Sequence, residues 1–139
     1  MNWACLCAEH VLPLFGEKID EHLLNALRIG KAWTYSKATV GDARKAAVLS
    51  HAIARESVNP VSIAVARAVG HAVATAHCAD HSLGGAIYAL KAVKFSGRSV
   101  FEERVWQNEH LEDEIKELIL SARTVKEQGF RDLREFILL

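Results

Sequence analysis

The sequence predicts an all-α protein, a compact bundle of about six or seven helices around a central pair rich in alanine and glycine. Three observations carry this reading. Apolar residues recur at three- and four-residue spacing behind good N-capping residues along most of the chain. Residues 59–96, NPVSIAVARAVGHAVATAHCADHSLGGAIYALKAVKFS, form one long run dense in Ala, Gly and Val. No stretch alternates branched or aromatic residues with polar ones, so no strand is expected.

The elements follow in order. Residues 3–12 read as a first helix with Trp3, Leu6, Cys7, Val11 and Leu14 on its apolar side, ended by Pro13, which has no N–H to give. Asp20 caps a second helix that runs through Leu23, Leu24, Ala26, Leu27 and Trp33, and Gly30 inside it invites a close neighbour. Thr39 and Asp42 make a capping-box opening for a third, with Ala43, Ala46, Ala47, Ser50, His51 and Ala54 as a stripe of small residues ending near Ser57.

Asn59 and Pro60 then start the central run, and Ser96 with Gly97 stops it. Unbroken, it would span about 54 Å at 1.5 Å per residue, too long for a domain of this size. It must therefore bend or break, and residues 77–85 are the expected place: Asp80 or Ser82 can cap a new helix, and Gly84 and Gly85 weaken the old one. Ser99 and Glu102 open a long helix striped by Val105, Leu111, Ile115, Leu118, Ile119, Ala122 and Val125. Gly129 breaks it, and Phe130, Leu133 and Ile137 support a short last helix docking on the body.

Composition bounds what this bundle can do. Its 139 residues, half of them apolar, suit one domain over residues 1–139. Seventeen basic residues balance seventeen acidic ones, so no global field favours nucleic acid or an anionic membrane surface. No apolar run is long enough for a membrane span, and the start MNWACLCAEHVL lacks the features of a signal peptide, so a cytoplasmic protein is expected. Three cysteines, Cys5, Cys7 and Cys78, fit plain thiols in a reducing compartment.

The sharpest chemical signal is His77 and His81, four apart, which a continuous helix would project from one face as metal sites require. With His51, His71 and Asp80 they form a polar central cluster. Its structural reading is a set of rings filling an Ala-lined core and bonded to carbonyls, Thr75, Ser50 or Asp80. Its chemical reading is a metal-dependent enzyme or metal-binding helical protein. The zinc-protease glutamate and a second ligand pair are both missing from the sequence, so no metal and no cofactor are expected. Nor is there a Gly-rich phosphate loop, a nucleophile elbow or a framed carboxylate pair, so the chain does not read as an enzyme. Glu109, Glu112, Asp113 and Glu117 place four acids on neighbouring rows of one helix. Such a row is either a solvated face or a surface for an electropositive partner.

Three segments, WACLCAEHVLPLF, TVGDARKAAVLSHAIAR and GHAVATAHCADHSLGGAIYALKAV, together resemble the bacterial Imm-5-like immunity proteins from Trp3 to about Val125. The segment at residues 16–19 is short where such proteins carry a longer acidic loop. The resemblance implies a small all-α protein of a polymorphic toxin system, whose partner is a cognate toxin that it binds and blocks without chemistry of its own. It carries over no catalytic or metal residue. A helical scaffold acting as a homo-oligomer is the remaining alternative, one that exposed Trp and Leu on the terminal helices would favour.

Overall fold

The computed structural model describes residues 1–79 and 81–129. Among these the fold is all-α: seven α-helices, one 3₁₀ turn and no strand. The short helix expected from Phe130, Leu133 and Ile137 lies outside the described residues.

Most boundaries sit where the capping chemistry puts them. Helix α1, Asn2–Val11, runs into a 3₁₀ turn, Leu12–Phe15, because Pro13 cannot continue the α-helical ladder. Helix α2, Glu21–Thr34, starts with the His22 N–H donating to the Asp20 carboxylate at 2.8 Å. Helix α3, Val40–Glu56, opens on a complete capping box, in which Asp42 N–H donates to the Thr39 hydroxyl and Thr39 N–H to the Asp42 carboxylate. In α4, Pro60–Ala74, the Val61 N–H donates to the Asn59 side chain at 2.8 Å. Helix α5, His81–Phe95, ends at Gly97, which takes φ +81° while Gly97 N–H and Arg98 N–H donate back to the carbonyls of Lys94 and Val93.

The central run therefore divides into α4 and α5 as expected, with α4 ending at Ala74 and α5 starting at His81, slightly ahead of the glycine pair. Gly84 and Gly85 lie inside α5 and shape its packing instead of breaking it. A Cβ built on Gly85 would stand 3.3 Å from the Cα, Cβ and N of Ala72, so the two helices cross almost backbone on backbone. Small residues at the crossing permit that approach. Helix α4 then packs against α1, α2, α3 and α5, and its Val65, Val69 and Val73 are fully buried beside Leu23 of α2 and Val11 of α1. None of these helices is long and apolar enough to cross a membrane.

One expectation fails. The segment after Ser99 is two helices, α6 (Val100–Glu109) and α7 (Asp113–Glu127), with a turn at residues 110–112. Leu111, at that turn, is buried in the core. The Arg123 Nη1 donates across the corner to Asn108 Oδ1 at 2.9 Å and holds it closed. Only part of the expected stripe faces inward: Leu111 is buried, and Ile119 and Ala122 pack partly buried against the core. Val105, Ile115, Leu118 and Val125 are exposed, whereas Glu103 and Gln107 of α6 and Arg123 and Glu127 of α7 are buried.

Candidate functional site

The histidine cluster forms where α3, α4 and the start of α5 meet, and two glycines make room for it. A Cβ on Gly70 would lie 2.7 Å from the His51 ring, and one on Gly84 would lie 3.0 Å from the ring of His71. His51 and His71 meet edge to face with centroids 4.9 Å apart, and His71 stacks on Tyr88 at 5.1 Å. The Nδ1 atoms of His71 and His81 are 2.8 Å apart, so one ring donates and the other accepts. His77 is exposed, its ring 5.6 Å from that of His81 across the helix break, so the two do not share one helical face. Asp80 lies outside the described residues.

The bonding partners differ from those expected. Ser50 donates to the Ala46 carbonyl and Thr75 to the His71 carbonyl, while His51 Nδ1 faces Arg67 Nη1 at 2.8 Å. A guanidinium only donates, so that nitrogen must accept and the His51 ring is neutral. Burial first, and then the charges of Arg67, His81 and Arg55, push His51 down from 6.5 to about 4. Burial likewise brings His71 to about 4, with His51, His81, Arg67 and Lys126 adding to it. No group of three or more His, Cys, Asp or Glu among the described residues is placed to hold a metal.

The two depressed histidines set a pH dependence. Between about pH 6.5 and about pH 4 the unfolded chain binds protons on these rings that the folded chain does not. The stability contributed by the neutral cluster is thus complete above about pH 6.5 and lost as pH falls towards 4. Melting temperature should drop across that window, and drop less steeply in a His51→Gln, His71→Gln protein. Equal slopes for the two proteins would place the dependence elsewhere.

The acidic residues occupy the corner between α6 and α7. Glu109 ends α6, Glu112 precedes the first turn of α7, and Asp113 and Glu117 follow on α7. All four are exposed, but they span a turn where a single helix was expected. Asp113 and Glu114 also favour the positive end of the α7 dipole. Part of the run is thus explained by helix initiation, and Glu109 and Glu117 are not.

Residues 1–114 match a family model described as Imm-5 like putative immunity protein. The chain belongs to that family. The match ends inside the first turn of α7, short of the position near Val125 to which the resemblance was expected to run. No curated protein and no solved structure matches the chain.

Family membership leaves one part of this immunity-family fold to be explained, a buried polar network that hydrophobic periodicity did not reveal. Trp3 Nε1 donates to the Gln107 carbonyl at 2.8 Å, and Gln107 Nε2 reaches both the Ala86 carbonyl and Glu103 Oε1. The other Glu103 oxygen pairs with His10 Nδ1 at 2.8 Å. Burial raises the Glu103 carboxyl, against the pull of His10 and of the Gln107 amide. Arg123 donates to Gln107 Oε1 and to Glu127, and Arg104 donates to the other oxygen of Glu127. The i,i+4 pairs Glu103/Gln107 and Arg123/Glu127 were the available signal in sequence, since each puts two complementary polar groups on one face. Cys5 and Cys7 are buried nearby, and burial lifts the Cys5 thiol to about 11 and the Cys7 thiol higher still, so both behave as small apolar groups.

Proposed function

We propose that this protein is an immunity protein that binds a cognate bacterial toxin in the cytoplasm and blocks it by covering its working surface, with no chemistry of its own. Membership of the Imm-5-like family is the observation that carries the reading. The histidine cluster agrees with it: its rings are spent on one another, on Tyr88 and on Arg67, which suits a structural role. The binding surface we propose is the acidic corner of Glu109, Glu112, Asp113 and Glu117, facing a basic toxin surface. Complementary charge of this kind acts chiefly on association rate and partner choice.

The test is co-expression with the product of the neighbouring toxin gene, followed by binding kinetics at two ionic strengths. A Glu109→Lys, Glu117→Lys protein keeps the acids that start α7, so its fold should be unchanged. Its association should slow by about tenfold or more at low salt, with a flatter salt dependence. Unaltered kinetics would remove this corner from the interface. A wild-type protein that neither protects cells nor binds the neighbouring product would overturn the immunity reading.

A further inference from the structure

Helix α3 turns its small residues inward and larger aliphatic ones outward. Ala43, Ala46, Ala47, Ser50 and Ala54 are buried, while Val40, Val48 and Leu49 are 44%, 57% and 48% exposed. Single exposed aliphatic residues need no explanation, but these adjoin a cavity. A groove of about 430 Å³ between α2 and α3 is lined by Ile29, Ala46 and Leu49 and by the cations Arg28, Lys37 and Lys45. Lys45 and Leu49 also line a second hollow, with Arg44 and Val48, so the two are continuous.

The charge of this groove is unanswered. Arg28, Lys37, Arg44 and Lys45 are all exposed, and none makes an ion pair among the described residues. Asp42 lines the groove too, but its carboxylate is occupied by the N–H and hydroxyl of Thr39 in the capping box. An apolar strip bordered by free cations fits a surface that is acidic. A nucleic acid fits less well, because stacking on its bases takes aromatic side chains and neither hollow is lined by Phe, Tyr or Trp.

This chain carries such a surface itself. It is neutral overall, but its charges are sorted. From His22 to Leu49, Arg28, Lys31, Lys37, Arg44 and Lys45 stand against Asp42 alone. From Glu102 to Glu117 the balance is reversed, and Glu109, Glu112, Asp113 and Glu117 are exposed together at the α6–α7 corner. No ion pair among the described residues joins the two surfaces: α2 and α3 pack on α4, and α6 and α7 pack on α5.

We propose that the α2–α3 groove receives the acidic α6–α7 corner of a second copy of this chain. The carboxylates of Glu109, Glu112 and Glu117 meet Arg28, Arg44 and Lys45, and Val48 and Leu49 lose water at the centre of the contact. The two surfaces differ, so the contact is heterologous and either closes on itself by being made twice or extends from copy to copy. Because the corner is also the toxin surface proposed above, self-association and toxin binding exclude each other, although the contact between copies does not rest on that reading.

Sedimentation of the wild-type protein should show concentration-dependent association at low salt that weakens by about tenfold or more at high salt. Neutralising the groove, as Arg28→Gln, Arg44→Gln, Lys45→Gln, should weaken it by about tenfold or more, and so should neutralising the corner, as Glu109→Gln, Glu112→Gln, Glu117→Gln. All six side chains are exposed, so thermal melts should match wild type. Val48→Glu, which sets an acid in the second hollow, is an independent variant with the same expectation. Each neutralised protein keeps one intact surface, so an equimolar mixture of the two should associate where neither does alone. A chain with all six changes is again neutral overall and should stay monomeric, alone and in either mixture. Wild type that is monomeric at low salt up to its solubility limit would overturn the proposal and leave the groove to an acidic surface of another protein. Association that survives in the neutralised proteins, that mixing does not restore, or that the six-fold variant retains would overturn it as well. No toxin is needed for any of these measurements, so failure here leaves the immunity reading untouched.

Discussion

Replacing Glu127 with alanine should destabilise the protein by about 3–5 kcal/mol, the cost of leaving a buried charge without its partner. Glu127 is fully enclosed and receives Arg123 Nε on one carboxylate oxygen at 2.6 Å and Arg104 on the other. Without the carboxylate, two guanidinium groups remain side by side at the joint of α6 and α7, and Arg104 already has its Nε and Nη2 buried with no bonding partner. They cannot shed their charge, because an arginine stays protonated at any ordinary pH. The same principle predicts partial rescue. Removing the charges together, as Arg104→Met, Arg123→Met, Glu127→Leu, should recover most of the loss, because buried ion groups replaced by apolar ones of similar volume are often no less stable. Chemical denaturation measures all three proteins. A loss under about 1 kcal/mol for Glu127→Ala would mean that water reaches the joint and that the network holds little.

That joint is also where reading from sequence failed, and the reason is physical. Caps are local, so Asp20, Thr39 with Asp42, Asn59 and Ser99 were legible, and each of them accepts a helix N–H. Stripe reading assumes that the apolar side of a helix faces inward. On α2, α3 and α4 it does, but on α7 only Ile119 and Ala122 of the stripe turn inward while Ile115, Leu118 and Val125 are exposed, and the stripe was read straight across the turn at residues 110–112. The burial of Gln107 depends on Trp3, more than one hundred residues away, and on Ala86, and no local pattern encodes such a meeting. The histidine cluster was half legible. Its members were evident, but the pairing of His51 with Arg67 needed the crossing of α3 and α4, and the space for its rings needed Gly70 and Gly84.

The crossing of α4 and α5 was the most legible feature, and it carries the second large effect. Ala72→Leu should cost about 1–3 kcal/mol, the usual range for overpacking, and towards the top of it. The residue is fully buried, and its Cα, Cβ and N already stand 3.3 Å from where a Cβ on Gly85 would be. The three carbons that leucine adds meet backbone there, and backbone in two packed helices cannot turn aside as a long side chain can. Relief requires the α4 and α5 axes to separate, which would also loosen Val69, Val73 and Leu90, all fully buried. Melting temperature should fall by several degrees for each kcal/mol lost in a chain of this length. Gly85→Ala is the graded counterpart. It gains helix propensity of up to about 1 kcal/mol but sets its methyl against Ala72, so its net effect should be far smaller than that of Ala72→Leu. Unchanged melting in Ala72→Leu would show that the two helices part at little cost and that this crossing does not hold the bundle together.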